Sequence, residues 1–303
     1  MELSGRVAGR FDIQSEAGSG GMGTVYRAWD WNTNAVVALK VLHAEASNQL
    51  ERFERETKLL AGLNHLAIVR FVGQGQLADG RPYLAMEWFE GESLSERLDR
   101  ELLTIGEALS MAARVADALG VAHARGIVHR DLKPGNILLV ERQLERIKLL
   151  DFGIASARGS ERDLTDTRTV LGTPGYMAPE QIQSSKHAGP SADVFALGCV
   201  IFKCLTGHVP YEGRNTLDLI VNMMSRPPLS IVSLRNDATR PLEDLLSVML
   251  DRDPLRRPAD GAALAGLIGE TVAARAQGQT DSHRPPSPHA AADETTRIVD
   301  GEG

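Results

Sequence analysis

Cysteine is scarce: only Cys199 and Cys204 occur, both inside an apolar segment. Two such residues make no disulfide framework, so a reducing, cytoplasmic setting with buried, inert thiols is expected. Positive charge is not in excess either. The formal net charge of -7 argues against general nucleic-acid affinity and against a polybasic membrane anchor. Long hydrophobic runs are missing: the longest, Val194 to Phe202, falls far short of the ~20 residues that cross a bilayer. The N-terminus, Met1-Glu2-Leu3-Ser4-Gly5-Arg6, has no apolar core of the kind that marks a signal peptide. Internal repeats and Cys/His clusters with metal-ligand spacing are absent. A soluble protein that takes neither nucleic acid nor a membrane as partner is expected.

What is present is ordinary globular material: 303 residues, 43% hydrophobic and 24% charged, enough for two packed lobes. The most informative stretch runs from Gly126 to Asn136, Gly-Ile-Val-His-Arg-Asp-Leu-Lys-Pro-Gly-Asn. Asp131, Lys133 and Asn136 put a base, a cation and a neutral oxygen ligand close together. Pro134 and Gly135 forbid a regular helix or central strand through them, so a loop is forced. Ile127-Val128 before it and Ile137 to Val140 after it read as short buried strands that would hold the loop.

Upstream, Gly18-Ser19-Gly20-Gly21-Met22-Gly23 leads into the β-branched and aromatic run Thr24-Val25-Tyr26. Glycines there would let backbone N–H groups approach phosphate oxygens. A plain glycine-rich hairpin would look the same, but the dinucleotide-binding version of GxGxxG opens a helix, and here strand follows strand. Val36 to Lys40 is an apolar strand ending in one lysine. Ser47 to Leu63 reads as a helix with Phe53, Leu60 and Leu63 inward, and Glu56 falls on the same face. A carboxylate there is costly to bury unless paired.

Pro82 to Gly91 looks like a last strand followed by a connection between lobes. Thr104 to Glu107 fits a capping box, with Leu109, Ala112, Ala113, Ala116 and Leu119 continuing one helical face. Ile147 to Leu150 is a strand that delivers Asp151-Phe152-Gly153. Residues 154 to 171 are polar and threonine-rich, which predicts a mobile loop. Ser191 to Gly207 reads as a helix buried all round, with Asp193 near free backbone N–H groups at its start. From about Gln277 too little apolar surface remains to offset ordering, so a disordered tail is expected.

These motifs, taken together, resemble the protein kinases, whose catalytic loop reads His-Arg-Asp-Leu-x-x-x-Asn and is matched in full by His129 to Asn136. The closest likeness is to the eukaryotic-type (Hanks-type) bacterial serine/threonine kinases, given Gly-Gly-Met-Gly-Thr-Val-Tyr and Asp-Phe-Gly-Ile-Ala. The resemblance implies an α+β, two-lobed fold with a small β-rich N-lobe and a larger, mostly α-helical C-lobe. It divides the chain into an extension at 1–10, a kinase domain at 11–271 and a tail at 272–303. Within the domain the N-lobe is 11–86, the hinge 87–91 and the C-lobe 92–271.

The implied activity is transfer of the ATP γ-phosphate, with Mg²⁺, to Ser/Thr hydroxyls of protein substrates. Self-association for autophosphorylation of the activation loop goes with it. By resemblance Asp131 accepts the substrate proton and Lys133 steadies the γ-phosphate. Lys40 grips the α- and β-phosphates while paired with Glu56, and Asn136 and Asp151 hold the metal. ATP would be lined by Ala17, Gly18, Ser19, Gly20, Gly21, Met22, Gly23, Thr24, Val25, Ala38 and Leu138. Met86 would be the gatekeeper, and the backbones of Glu87 and Phe89 would meet the adenine edge.

Thr165, Thr167 and Thr169 are the expected activation-loop phosphorylation sites, answered by Arg130 and Arg52. Thr173 belongs to the substrate-docking segment Gly172 to Glu180. Asp193 braces the catalytic loop, and Glu180 pairs with Arg257. Two positions depart from the pattern: Ala17 replaces a larger aliphatic residue, and Leu66 follows His65 where proline is common. Neither removes a catalytic group. The competing readings are a pseudokinase scaffold, against which Lys40, Asp131, Asn136 and Asp151 all speak, and a small-molecule kinase, which would lack the docking segment.

Overall fold

The computed structural model describes residues 5–20, 23–43, 60–152, 174–183 and 188–281, the side chains of 277–281 excepted. The chain opens with four strands, β1 (Arg6–Val7), β2 (Phe11–Gly20), β3 (Gly23–Asp30) and β4 (Ala35–Leu42). Next come β5 (Phe71–Gln76) and β6 (Pro82–Glu87), which complete an antiparallel sheet of order β1-β2-β3-β4-β6-β5. Thr, Val, Tyr and Trp in β3 and three valines in β4 favour this pleated, half-buried surface. Phe11, Tyr26, Ala28, Val37, Leu39 and Ala85 form the N-lobe core. Arg10 and buried Asp30 tie the start of β2 to the end of β3 through two hydrogen bonds of 2.6 and 2.7 Å. That guanidinium holds the Asp30 carboxyl below the ordinary carboxylate range.

A second sheet, β7 (Gly91–Ser93), β8 (Ile137–Val140) and β9 (Ile147–Leu149), lies across the start of the C-lobe. Among the described residues the helices of the C-lobe are α1 (Leu94–Leu98), α2 (Ile105–His123), α3 (Pro179–Gln183), α4 (Pro190–Thr206), α5 (Thr216–Ser225), α6 (Ile231–Leu234), α7 (Arg240–Met249) and α8 (Gly261–Asp281). Thr104 caps α2 with the full box: Glu107 N–H donates to Thr104 Oγ1 at 3.2 Å, and Thr104 N–H donates to Glu107 Oε2 at 2.8 Å. Helix α4 is the predicted all-round buried helix, opened by Pro190 and closed by Gly207 at φ +78°, where a residue without Cβ sits at least strain. Cys199 and Cys204 are both free and buried on it, and burial pushes the Cys204 thiol up to about 12 and Cys199 upward too. Both are poor nucleophiles for that reason.

Three boundaries differ from the sequence reading. Ile127-Val128 is not a strand; Ile127 N–H instead donates back to Ala122 O near the end of α2, at 3.1 Å. Residues 6 and 7 are not a loose extension, because Val7 is buried and pairs with Phe11. Helix α8 continues to Asp281, past the boundaries expected at 271 and 277. Thr271 is the last fully buried side chain described on it, and Arg275, one turn further, is half-buried.

Candidate active site

The glycine-rich turn joins β2 to β3. Ala17, Gly18, Ser19 and Gly20 lie on β2, and Gly23, Thr24 and Val25 open β3, with Gly18 opposite Val25 and Ser19 opposite Thr24. Gly21 and Met22 lie outside the described residues. A Cβ at Gly18 or Gly20 would meet nothing within 4 Å, whereas one at Gly23 would lie 2.3 Å from the Val41 carbonyl oxygen. The three glycines therefore differ: two keep backbone open to a ligand, and the third lets β3 approach β4. Gly23→Ala should lower the melting temperature, while Gly18→Ala and Gly20→Ala should leave it unchanged and raise the KM for ATP. Thermal melts beside ATP titrations check this, and equal loss of stability in all three variants would refute the division.

The sheet behind this turn sets Val25 opposite Lys40 and Ala38 opposite Met86. Beside Met86 a small cavity of about 20 Å³ is lined by Leu60, Leu63, Phe71, Leu84, Asp151 and Phe152. The Glu87 N–H donates to Arg70 O at 2.9 Å, so its carbonyl is the backbone group left for an adenine edge. Phe89 follows in the connection to β7, and Leu138 sits on β8 between Ser93 and Lys148. Lys40 is buried, and its Nζ lies 2.7 Å from Asp151 Oδ1. Glu56, the partner expected for Lys40, lies outside the described residues.

The catalytic-type loop is built around Asp131. Lys133 Nζ donates to both carboxylate oxygens, at 2.8 and 3.1 Å. Asn136 Nδ2 donates to Asp131 O at 2.7 Å and to Oδ2 at 3.0 Å. Since the Asn136 amide nitrogen is thus engaged, its Oδ1 is the atom available to a hard cation, beside a carboxylate at Asp151. A short 3-10 turn at Pro134–Asn136 gives the loop its bend. Arg130 and Asp151 adopt φ of +63° and +56°, the left-handed region that non-glycine residues enter only when their surroundings hold them there.

Those surroundings are specific. Asp193 is almost fully buried on α4 and accepts from the N–H groups of His129 and Arg130 at 2.7 and 2.8 Å. The sequence reading offers this carboxylate the free N–H groups of its own helix and, by resemblance, the catalytic loop to brace; the donors it takes are those of the loop. Its third donor is His123 Nε2 at 2.8 Å, and Gly261 N–H donates to His123 Nδ1 at 3.0 Å. His129 Nε2 lies 2.9 Å from Leu150 O, and its ring packs on Phe152 at 4.6 Å between centroids. Below the loop, Gln181 Nε2 donates to Arg130 O at 3.0 Å. Glu180 and Arg257 form a two-pronged ion pair at 2.8 and 2.9 Å.

The structure therefore brings Lys40, Asp131, Lys133, Asn136, Asp151 and Asp193 into one linked neighbourhood. Gly153, Thr165, Thr167, Thr169, Thr173 and Arg52 lie outside the described residues. From the sequence His129 reads as the first residue of the loop motif but takes no role, and His123 is not singled out, although it falls four residues after Leu119 and so on the inward face of α2.

A family model described as a protein kinase domain matches residues 11–266. The chain belongs to the protein kinase family. Its relatives put it with the Hanks-type bacterial serine/threonine kinases. The serine/threonine-protein kinase PknJ of Mycobacterium tuberculosis is 36% identical over 300 residues, covering 95% of this chain and 49% of PknJ. The serine/threonine-protein kinase pkn3 of Myxococcus xanthus is 36% identical over 268 residues, covering 85% of this chain and 49% of that protein. The chain thus spans about half the length of these relatives. Among solved structures, the Mycobacterium tuberculosis PknI kinase domain superposes with a TM-score of 0.71 at 27% identity, covering 89% of this chain and all of that one. Rad53 1-466, solved in complex with AMP-PNP, gives 0.69 at 26% identity, covering 86% and 65%. The two-lobed kinase fold is therefore this chain's fold.

Proposed function

We propose that the chain transfers the γ-phosphoryl group of ATP to serine and threonine hydroxyls of protein substrates. The observation that carries this is the Asp131 carboxylate, fixed by Lys133 and Asn136 at hydrogen-bond distance, in a chain of this family. A base so held can take the hydroxyl proton as the nucleophile attacks, and Lys133 beside it is the cation positioned to meet γ-phosphate charge. Asn136 and Asp151 offer the oxygen donors that Mg²⁺ prefers and would hold it; the ion would neutralise charge on the phosphates. ATP then lies with its adenine near Met86, Glu87 and Phe89 and its phosphates under Gly18 and Gly20, beside Lys40. Incubation with labelled ATP and Mg²⁺, followed by mass-spectrometric mapping of modified residues, tests the reaction. Absence of Ser/Thr phosphorylation on any protein substrate, the kinase included, would overturn it.

The substrates are proteins, and transient self-association would serve autophosphorylation. A cytoplasmic location fits the two unpaired, buried cysteines. Among the described residues no helix is long and apolar enough to cross a membrane. Phosphorylation at Thr165, Thr167 and Thr169 is proposed to switch the enzyme on, because Arg130 precedes the base directly and new arginine pairs order loops of this kind. Replacing all three threonines with alanine should lower peptide phosphorylation about ten-fold or more. Phosphatase treatment should do the same to wild type and nothing further to the triple variant. Full activity in both would remove the switch.

A further inference from the structure

Lys148 is the middle residue of β9, flanked by buried Ile147 and Leu149. By strand alternation its side chain leaves the C-lobe core, and such a lysine normally points to water. This one does not. Its Nζ donates to Glu87 Oε1 at 2.8 Å and to Ile68 O at 3.4 Å, and it stands 4.4 Å from the centroid of the Phe89 ring. The pair is mostly shielded, with the Lys148 and Glu87 side chains 15% and 20% exposed. The same Glu87 oxygen accepts the Arg70 N–H at 2.8 Å.

One ammonium group therefore gathers three pieces of chain: the segment that enters β5, the connection from β6 to β7, and β9. The backbone reinforces the junction, since Leu149 N–H donates to Ala67 O at 2.7 Å and Val69 N–H donates to Leu149 O at 3.2 Å. Glu87 and Phe89 are the residues assigned to the adenine edge, and Asp151, assigned to the metal, lies three residues beyond Lys148.

We propose that Lys148, through Glu87, Phe89 and the Ile68 carbonyl, is a positioning residue that couples the adenine end of the nucleotide site to the strand that leads to Asp151. It touches neither substrate nor reacting atoms. It fixes the pivot about which the two ends of ATP are held, so that binding at the hinge finds Asp151 already placed. The inference rests on the kinase reading above. A shielded charge pair with an added cation–π contact resists rotation at this pivot more than an exposed pair would.

The test is a double-mutant cycle of Lys148→Met and Glu87→Gln, with Lys148→Arg as the conservative variant. Glu87→Gln keeps the shape and an oxygen to accept the Arg70 N–H, and Lys148→Met keeps the apolar stem, so the fold should survive. Each single variant should raise the KM for ATP about five-fold with kcat within about two-fold, and the double variant should be no worse than either single one. Lys148→Arg should restore most of the affinity. Binding of a fluorescent ATP analogue, read without turnover, should weaken in parallel. Additive effects on KM would overturn the proposal, as would unchanged KM with only a lowered melting temperature, or no rescue by arginine. Wild type that binds the analogue but transfers no phosphate would instead refute the kinase reading, leaving the coupling to be judged by the binding cycle alone.

Discussion

Asp131→Asn should lower turnover by about 10³-fold or more while leaving the melting temperature within a few degrees of wild type. The carboxylate sits among donors only: Lys133 Nζ at 2.8 and 3.1 Å and Asn136 Nδ2 at 3.0 Å. An asparagine keeps the shape of the side chain and one acceptor oxygen, which can face Lys133. It cannot accept a proton from an incoming hydroxyl. The lost stabilisation therefore falls on the transition state and not on substrate binding, so kcat should drop with the KM for ATP almost unchanged. Asp151→Asn makes the informative contrast. In the described structure Asp151 neutralises the buried Lys40 at 2.7 Å, so this change should abolish transfer and also disturb the nucleotide-free fold. Steady-state kinetics with circular dichroism on both variants separates the two roles. Asp131→Asn protein retaining a tenth of wild-type turnover would end the assignment of Asp131 as the base.

Parts of this structure were legible in the sequence where the cause is local. The Thr104 and Glu107 box needs only residues three apart, and helix α4 is announced by Ser191 near its start, the apolar run Val194 to Phe202 and Gly207. The Asp131, Lys133 and Asn136 trio was legible because all three lie on one short loop. What escaped was held by distant partners. Ile127-Val128 looks like a strand by composition, yet Ile127 N–H turns back to Ala122 O at the end of α2, and Asp193 on another helix claims the N–H groups of the next two residues. Lys148 reads as a surface lysine because the acceptors that turn it inward, Glu87 and Ile68, are 61 and 80 residues away. The two-residue strand β1 carries too short a pattern to announce itself, and it is fixed by the burial of Val7. The separate duty of Gly23 is also tertiary, since it depends on how near β4 passes.

The second large effect expected is from Asp193→Ala, which should destabilise the C-lobe by about 3–5 kcal/mol and lower kcat together. The carboxylate is almost wholly buried and satisfies three donors at once: the N–H groups of His129 and Arg130 and the imidazole of His123. Because Gly261 N–H donates to His123 Nδ1, the ring proton resides on Nε2, and the histidine serves this carboxylate in its neutral form. Alanine leaves two backbone N–H groups and one imidazole N–H without that acceptor, in the buried interior. It also removes one of the bonds that hold Arg130 at φ +63°, a conformation that costs about 1–3 kcal/mol to maintain. Once released, the loop relaxes toward ordinary backbone angles and carries Asp131 away from Lys133 and Asn136. Asp193→Asn keeps one acceptor oxygen but places an NH2 against a donor, so its loss should be intermediate in both stability and kcat. Urea unfolding of the two variants beside wild type, with kcat measured below the onset of unfolding, gives the comparison. An Asp193→Ala protein as stable as wild type but slow would make the residue a pure loop brace. One that is unstable yet, when folded, turns over at the wild-type rate would show that Arg130 and Asp131 keep their conformation without it.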